Sequence, residues 1–271
     1  MDRPEEFAVK LARVERFLAE NGLNGAILAR SDNFAWLGCG SSNVVDSSQE
    51  TGVAALAVRQ GSVTLIANNI EAERLLTEEL DGLDVAATEV FPWHEPARRA
   101  AIIKRLAARG RFAADDGSAG LAALPDGFPR LRYALTETEI ERYRALGRDA
   151  AAAVESAARD VERGITEADV AAITAGECLE RSIAPIVLLV AADERVRNWR
   201  HPVVKTTPVE RCVMIVICGR RQGLVAAATR LVHFGDLPED LKERHRAACA
   251  VDAAMMWATV PGRPASEVFA E

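Results

Sequence analysis

Two stretches of this chain carry side chains that can do chemistry. The first is "NWRHPVVKTTP", residues 198–208, where His201 stands between Arg200 and Pro202. An imidazole titrates near neutral pH and can pass a proton to a departing nitrogen. Trp199 and Arg200 have the types that line a pocket rim, although the tryptophan suits a core equally well. A plainer reading is a loop histidine held extended by the proline that follows it. The second stretch is "CVMIVICGRRQGLVAAATRLVHFG", Cys212 to Gly235, with three Arg, one His and no acidic residue. It reads as two apolar strands around a basic turn. Arg230 either contacts substrate or braces the hairpin, and His233 either points into a cleft or closes the strand as a structural group. Arg220 and Arg221 read as solvated turn charges. Cys218 has no histidine close in sequence and reads as a buried thiol. His94, in "FPWHEP", reads as a loop residue.

The totals place these residues in an ordinary globular protein. The chain has 271 residues, 49% hydrophobic and 27% charged, with a net charge of −7. That balance argues against a nucleic-acid backbone or an anionic membrane as partner. The acidic N-terminus is no signal peptide, and no apolar run approaches bilayer length. The five cysteines (39, 178, 212, 218, 249) are scattered, with no CxxC pair. They read as reduced thiols of a cytoplasmic protein, with no disulfide framework and no zinc site.

The elements that must position the two stretches follow from periodicity. Phe7, Leu11, Val14 and Leu18 mark one face of a first helix, with Gly22 as its stop. "GAILAR" is a buried strand, and "SDNFAWLGCGSS" reads as loop with a short apolar centre. "GVAALAVRQGSVTLIANN" is a hairpin turning at Gln60-Gly61. "IEAERLLTEEL" is helical, "DVAATEVF" extended, "EPARRAAIIKRLAARG" helical to Gly110, and "RFAADD" a last strand. This alternation is that of an α/β domain. A Pro/Gly-marked joint then leads into a long helix, capped by Thr136 or Thr138 with Glu139 or Glu141 three residues on. A second helix follows Thr166, with Asp169 at the capping-box position. "APIVLLVAA" is a buried strand, the hairpin comes next, and "PEDLKERHRAACAVDAAMMWATV" is another long helix.

A repeat runs through this second half. "ERGITEADVAAI" (162–173) and "VPGRPASEVFAE" (260–271) superpose at an offset of 98, matching Gly164 to Gly262 and Val170 to Val268. Each follows an Ala-rich helix and opens a short one, as in a duplicated unit. The first copy is followed by strands, whereas the second stops at Glu271. The chain is therefore expected to be cut short.

Taken in order, "ETEIERYRALGRDAAAAVESAARDVERGITEADVAAI", "RHP", the hairpin ending "TRLVHFG" and "VPGRPASEVFAE" resemble the creatinase / aminopeptidase P / methionine aminopeptidase family, peptidase family M24. "LARVERFLAENGLNGAIL", "SDNFAWLGCG" and "VRQGSVTLIANNIEAERL" are similar to the creatinase-type N-terminal domain. The resemblance implies a creatinase-like α/β domain over residues 1–132. An α+β pita-bread domain, incomplete at its C-terminus, would span residues 133–271. It also implies a homodimer and a small-molecule or peptide substrate, with no nucleic-acid or membrane partner.

In active peptidases of this family two metal ions are held by two Asp on the hairpin, then by a His and two Glu further on. Matching the pattern onto Gly219 and onto Thr229-Arg230 places Ile217 and Ala227 at the two Asp positions. A pair of divalent ions needs several anionic oxygens, and these side chains offer none. No metal and no cofactor is therefore expected. The metal-free creatinase branch implies His201 as the proton-transfer residue; Arg200, Arg230 and His233 are the residues expected to contact substrate. The leading reading is a metal-independent hydrolase or lyase acting on a small amide, amidine or peptide-like substrate; the alternatives are a catalytically inactive peptide- or protein-binding pseudo-peptidase and, second, an Xaa-Pro type metalloaminopeptidase.

Overall fold

The computed structural model describes residues 1–271. Its contacts divide into two compact units that do not follow chain order. One comprises Met1–Ala153, Cys178–Val187 and Ile217–Ala228, and the other Val154–Glu177, Leu188–Val216 and Thr229–Glu271.

The first unit is built on helix α1 (Arg3–Glu20), strand β1 (Gly25–Arg30), α2 (Ser31–Leu37), β2 (Thr51–Arg59), β3 (Ser62–Asn68), α3 (Ala72–Arg74), β4 (Ala87–Phe91), α4 (Pro96–Ala107), β5 (Phe112–Ala114) and β6 (Ala122–Ala123). The strands make one mixed sheet in the order β4-β3-β2-β1-β5-β6. Side chains alternate across a strand, so β1 sends Ala26 and Leu28 to one core and Ile27 and Ala29 to another. Phe7, Val14 and Leu18 of α1 are buried in the first core, with Leu11 packed against it, as the helical spacing predicts. Asp2 caps α1: the Glu5 N–H donates to Asp2 Oδ1 at 2.8 Å, and the Asp2 N–H to Glu5 Oε2 at 3.0 Å. The β2–β3 turn falls at Gln60-Gly61, both at positive φ, with Arg59 opposite Ser62.

Two readings need correction. "SDNFAWL" is a helix, α2, with its apolar residues buried. Seven residues are too few for periodicity to show, and Gly38 and Gly40 gave the segment a loop-like composition. "IEAERLLTEEL" is only a short turn of α3 followed by a wider helical turn over Leu75–Glu79.

The remaining elements are α5 (Glu137–Arg159), α6 (Glu167–Glu180), β7 (Ala184–Ala192), α7 (Glu194–Asn198), β8 (Cys212–Arg221), β9 (Leu224–His233), α8 (Glu239–Ala258) and α9 (Ala265–Phe269). Strands β7, β8 and β9 form a sheet in that order. Thr136 and Glu139 cap α5 reciprocally, at 3.1 and 2.8 Å, and Thr166 and Asp169 cap α6, at 3.2 and 2.9 Å. Strand β7 was expected to be buried throughout, but only Val190, Ala191 and Ala192 are. The two glycines of the internal repeat share a left-handed backbone, φ +94° at Gly164 and +87° at Gly262, and Val170 and Val268 are both buried. The combined α/β and α+β architecture agrees with the expected fold class.

Candidate functional site

The hairpin turns later than its sequence suggests. Strand β8 runs through Arg220 and Arg221, and the two turn residues are Gln222 and Gly223, at φ +52° and +76°. Arg221 is therefore a strand residue and not a solvated turn charge. It pairs with Asp149 at 2.7 Å and donates to the Arg181 carbonyl at 3.0 Å. Gly219 is required by close packing, since a Cβ there would stand 2.5 Å from Ile183 Cγ2. Ile217 is fully buried in β8, and Ala227 is exposed in β9.

Within the second unit, the far end of β9, α7 and the stretch of α8 up to Asp252 line a groove of about 1230 Å³. Arg230 and His233 both line it. Arg230 donates to Glu155 Oε1 at 2.6 Å and to the Thr229 carbonyl at 2.9 Å. That guanidinium holds the Glu155 carboxyl below the usual carboxylate range. His233 Nδ1 is buried and makes no hydrogen bond within the protein. The backbone next to it is fixed: the Phe234 N–H donates to the Arg211 carbonyl at 2.8 Å, and the Arg163 guanidinium lies 5.6 Å from the Phe234 ring.

Arg200 and His201 stand elsewhere in this unit. Both are exposed, neither lines the groove, and His201 makes no hydrogen bond or ion pair. Their loop is held on both sides. Glu167, fully buried, accepts from the Ala192 N–H at 2.8 Å, the Lys205 N–H at 2.9 Å and Arg195 Nε at 2.8 Å. Arg195 in turn donates to the Val203 carbonyl at 2.7 Å. Residues 199–201 lie between these anchors, with Ala192 and Arg195 before them and Val203 and Lys205 after.

Sequence reasoning missed four residues of this unit. Glu167 was not singled out, the cap being read at Thr166 and Asp169. Asp193, at φ +49° and ψ −118°, accepts from the N–H groups of Glu210, Arg211 and Cys212 at 3.0, 2.8 and 3.0 Å. Burial works against its charge, but these donors hold its carboxyl below the usual range. His245 and Cys249 line the groove from α8, with Cys249 Sγ 3.7 Å from His245 Nε2. Their i, i+4 spacing on one helix face was the available signal.

Two positions bear on the dinuclear metal centre that the resemblance implies, those it matches to the hairpin aspartates. Ile217 and Ala227 have no donor atom.

No family model matches the sequence, and no curated protein matches it. Solved structures do match the fold. A dipeptidase from Pyrococcus horikoshii OT3 superposes with a TM-score of 0.74 at 18% identity, covering 96% of this chain and 77% of that one. An X-Pro aminopeptidase from Thermotoga maritima MSB8 gives 0.69 at 16%, over 90% and 70%. The N-terminal domain of the FACT complex subunit SPT16 from Cicer arietinum gives 0.69 at 11%, over 98% and 75%. From the ordered elements, the hairpin and these superpositions together, the fold of the chain is that of the creatinase/aminopeptidase P-like proteins.

Proposed function

We propose that this chain binds peptides without cleaving them, holding an extended segment in the groove of its second unit. The observation that carries this reading is the groove wall. Thr229–Phe234 line the groove, and β9 is the last strand of its sheet, so its outer side has no strand partner. An edge strand of this kind pairs readily with an extended chain, whose side chains then fill pockets alternately. Arg230 and His233 are the polar groups set to contact that peptide. Solved structures of this fold include an X-Pro aminopeptidase and a subunit domain of a multiprotein complex. A peptide ligand containing an Xaa-Pro pair is therefore the first probe.

The test is calorimetric titration of an Xaa-Pro-containing tripeptide into the chain with chelator present. Saturable binding is expected, weakened about tenfold or more in Arg230→Ala or His233→Ala. Absence of binding, or affinity indifferent to both changes, would remove the proposal.

A second reading is a metal-independent hydrolase or lyase acting on a small amide or amidine, with His201 transferring the proton. It is favoured by the exposure of His201 and its freedom from hydrogen bonds, which leave both ring nitrogens open to substrate. His201→Ala would abolish turnover on that reading and leave peptide binding intact on the first.

A further inference from the structure

The groove holds a thiol and an imidazole that the proposed peptide-binding role does not use. Cys249 and His245 lie one helical turn apart on α8, with Sγ and Nε2 separated by 3.7 Å, and both line the groove. Of the five cysteines, Cys39 and Cys178 are buried, Cys212 and Cys218 are half-buried, and Cys249 alone is exposed. Burial pushes the Cys39 thiol up to about 12 and raises that of Cys212 as well. A thiol reacts as its thiolate and only where a reagent can reach it. Accessibility and a neighbouring base thus coincide at one position.

We propose that Cys249, with His245 as its proton acceptor, is the site at which this protein forms a mixed disulfide with a low-molecular-weight disulfide. As the Cys249 sulfur attacks one sulfur of the reagent, its proton passes to His245 Nε2. A new S–S bond forms at Cys249, and the S–S bond of the reagent breaks. The departing thiolate leaves with the electron pair and takes the proton back from the imidazolium. Cys249 is oxidised to the disulfide level, and half of the reagent is reduced to a thiol. The adduct then occupies the groove faced by Arg230 and His233, so the modification blocks whatever binds there.

Oxidised glutathione is the probe, with intact mass and peptide mapping as the readout on the full chain. One adduct at Cys249 is expected, formed ahead of any at Cys212 or Cys218. Cys249→Ser should abolish it without changing the circular dichroism, since the thiol is exposed. His245→Ala should slow it about tenfold or more. Added imidazole should restore the rate in that variant at Cys249 and leave Cys212 unaffected, which loss of a merely structural contact would not do. Adducts spread evenly over Cys212, Cys218 and Cys249 would overturn the proposal. So would a Cys249 rate unchanged in His245→Ala, or one that imidazole does not restore.

Discussion

Glu167 stands fully buried in the first turn of α6, with two backbone N–H groups and the Arg195 guanidinium donating to its carboxylate. Removing that carboxylate orphans all three donors and leaves Arg195 beside no counter-charge. Glu167→Ala should therefore cost about 3–5 kcal/mol, read as a drop in the urea midpoint. Glu167→Gln keeps one acceptor oxygen and should cost less. Equal, negligible losses in both variants would show that the contacts do not anchor this unit. Little of this was legible in the sequence. In "ITEAD" the capping pair Thr166 and Asp169 could be read from spacing alone, because a cap is a local device. The role of Glu167 depends on Lys205, 38 positions away. Asp193 was hidden for the same reason, since three of the backbone groups it contacts lie 17 to 19 positions on.

At the scale of elements, α1 and α5 are joined by buried charge. Lys10 Nζ lies 2.7 Å from both Glu6 Oε1 and Glu139 Oε1, and Arg142 grips Glu6 with two bonds, at 2.8 and 2.7 Å. Burial alone would raise the Glu6 carboxyl, but Arg142 and Lys10 outweigh it and hold the group down to about 2, from an ordinary 4.5. A carboxyl depressed on folding stabilises the native state above its unfolded value and loses that contribution as pH falls through its folded one. Stability should thus fall between pH 4.5 and about 2. Glu6→Gln should be less stable at neutral pH and show a shallower fall over that window. A parallel fall in both proteins would contradict the link. The apolar face of α1 was readable because helical packing imposes a period. The link to α5 was not, because an ion pair across 136 positions imposes none.

For the whole molecule, the order of weak motifs carried more than any one of them. Hairpin, capped helices and repeated glycine turn are short-range features with strict backbone demands, and they led to the fold that the superpositions show. The groove was not foreseen, because it is assembled from α7, β9 and α8 and no local pattern announces it. The same superpositions run to peptidases, whereas the proposed role of this chain is to bind peptides without metal-assisted cleavage. The measurement that bears most directly on that claim is proline release from an Xaa-Pro dipeptide by the purified chain in millimolar Mn²⁺. The account predicts no release above the protein-free control. Multiple turnovers that vanish on adding chelator would contradict it and make the chain a metallopeptidase with ligands other than those at the hairpin.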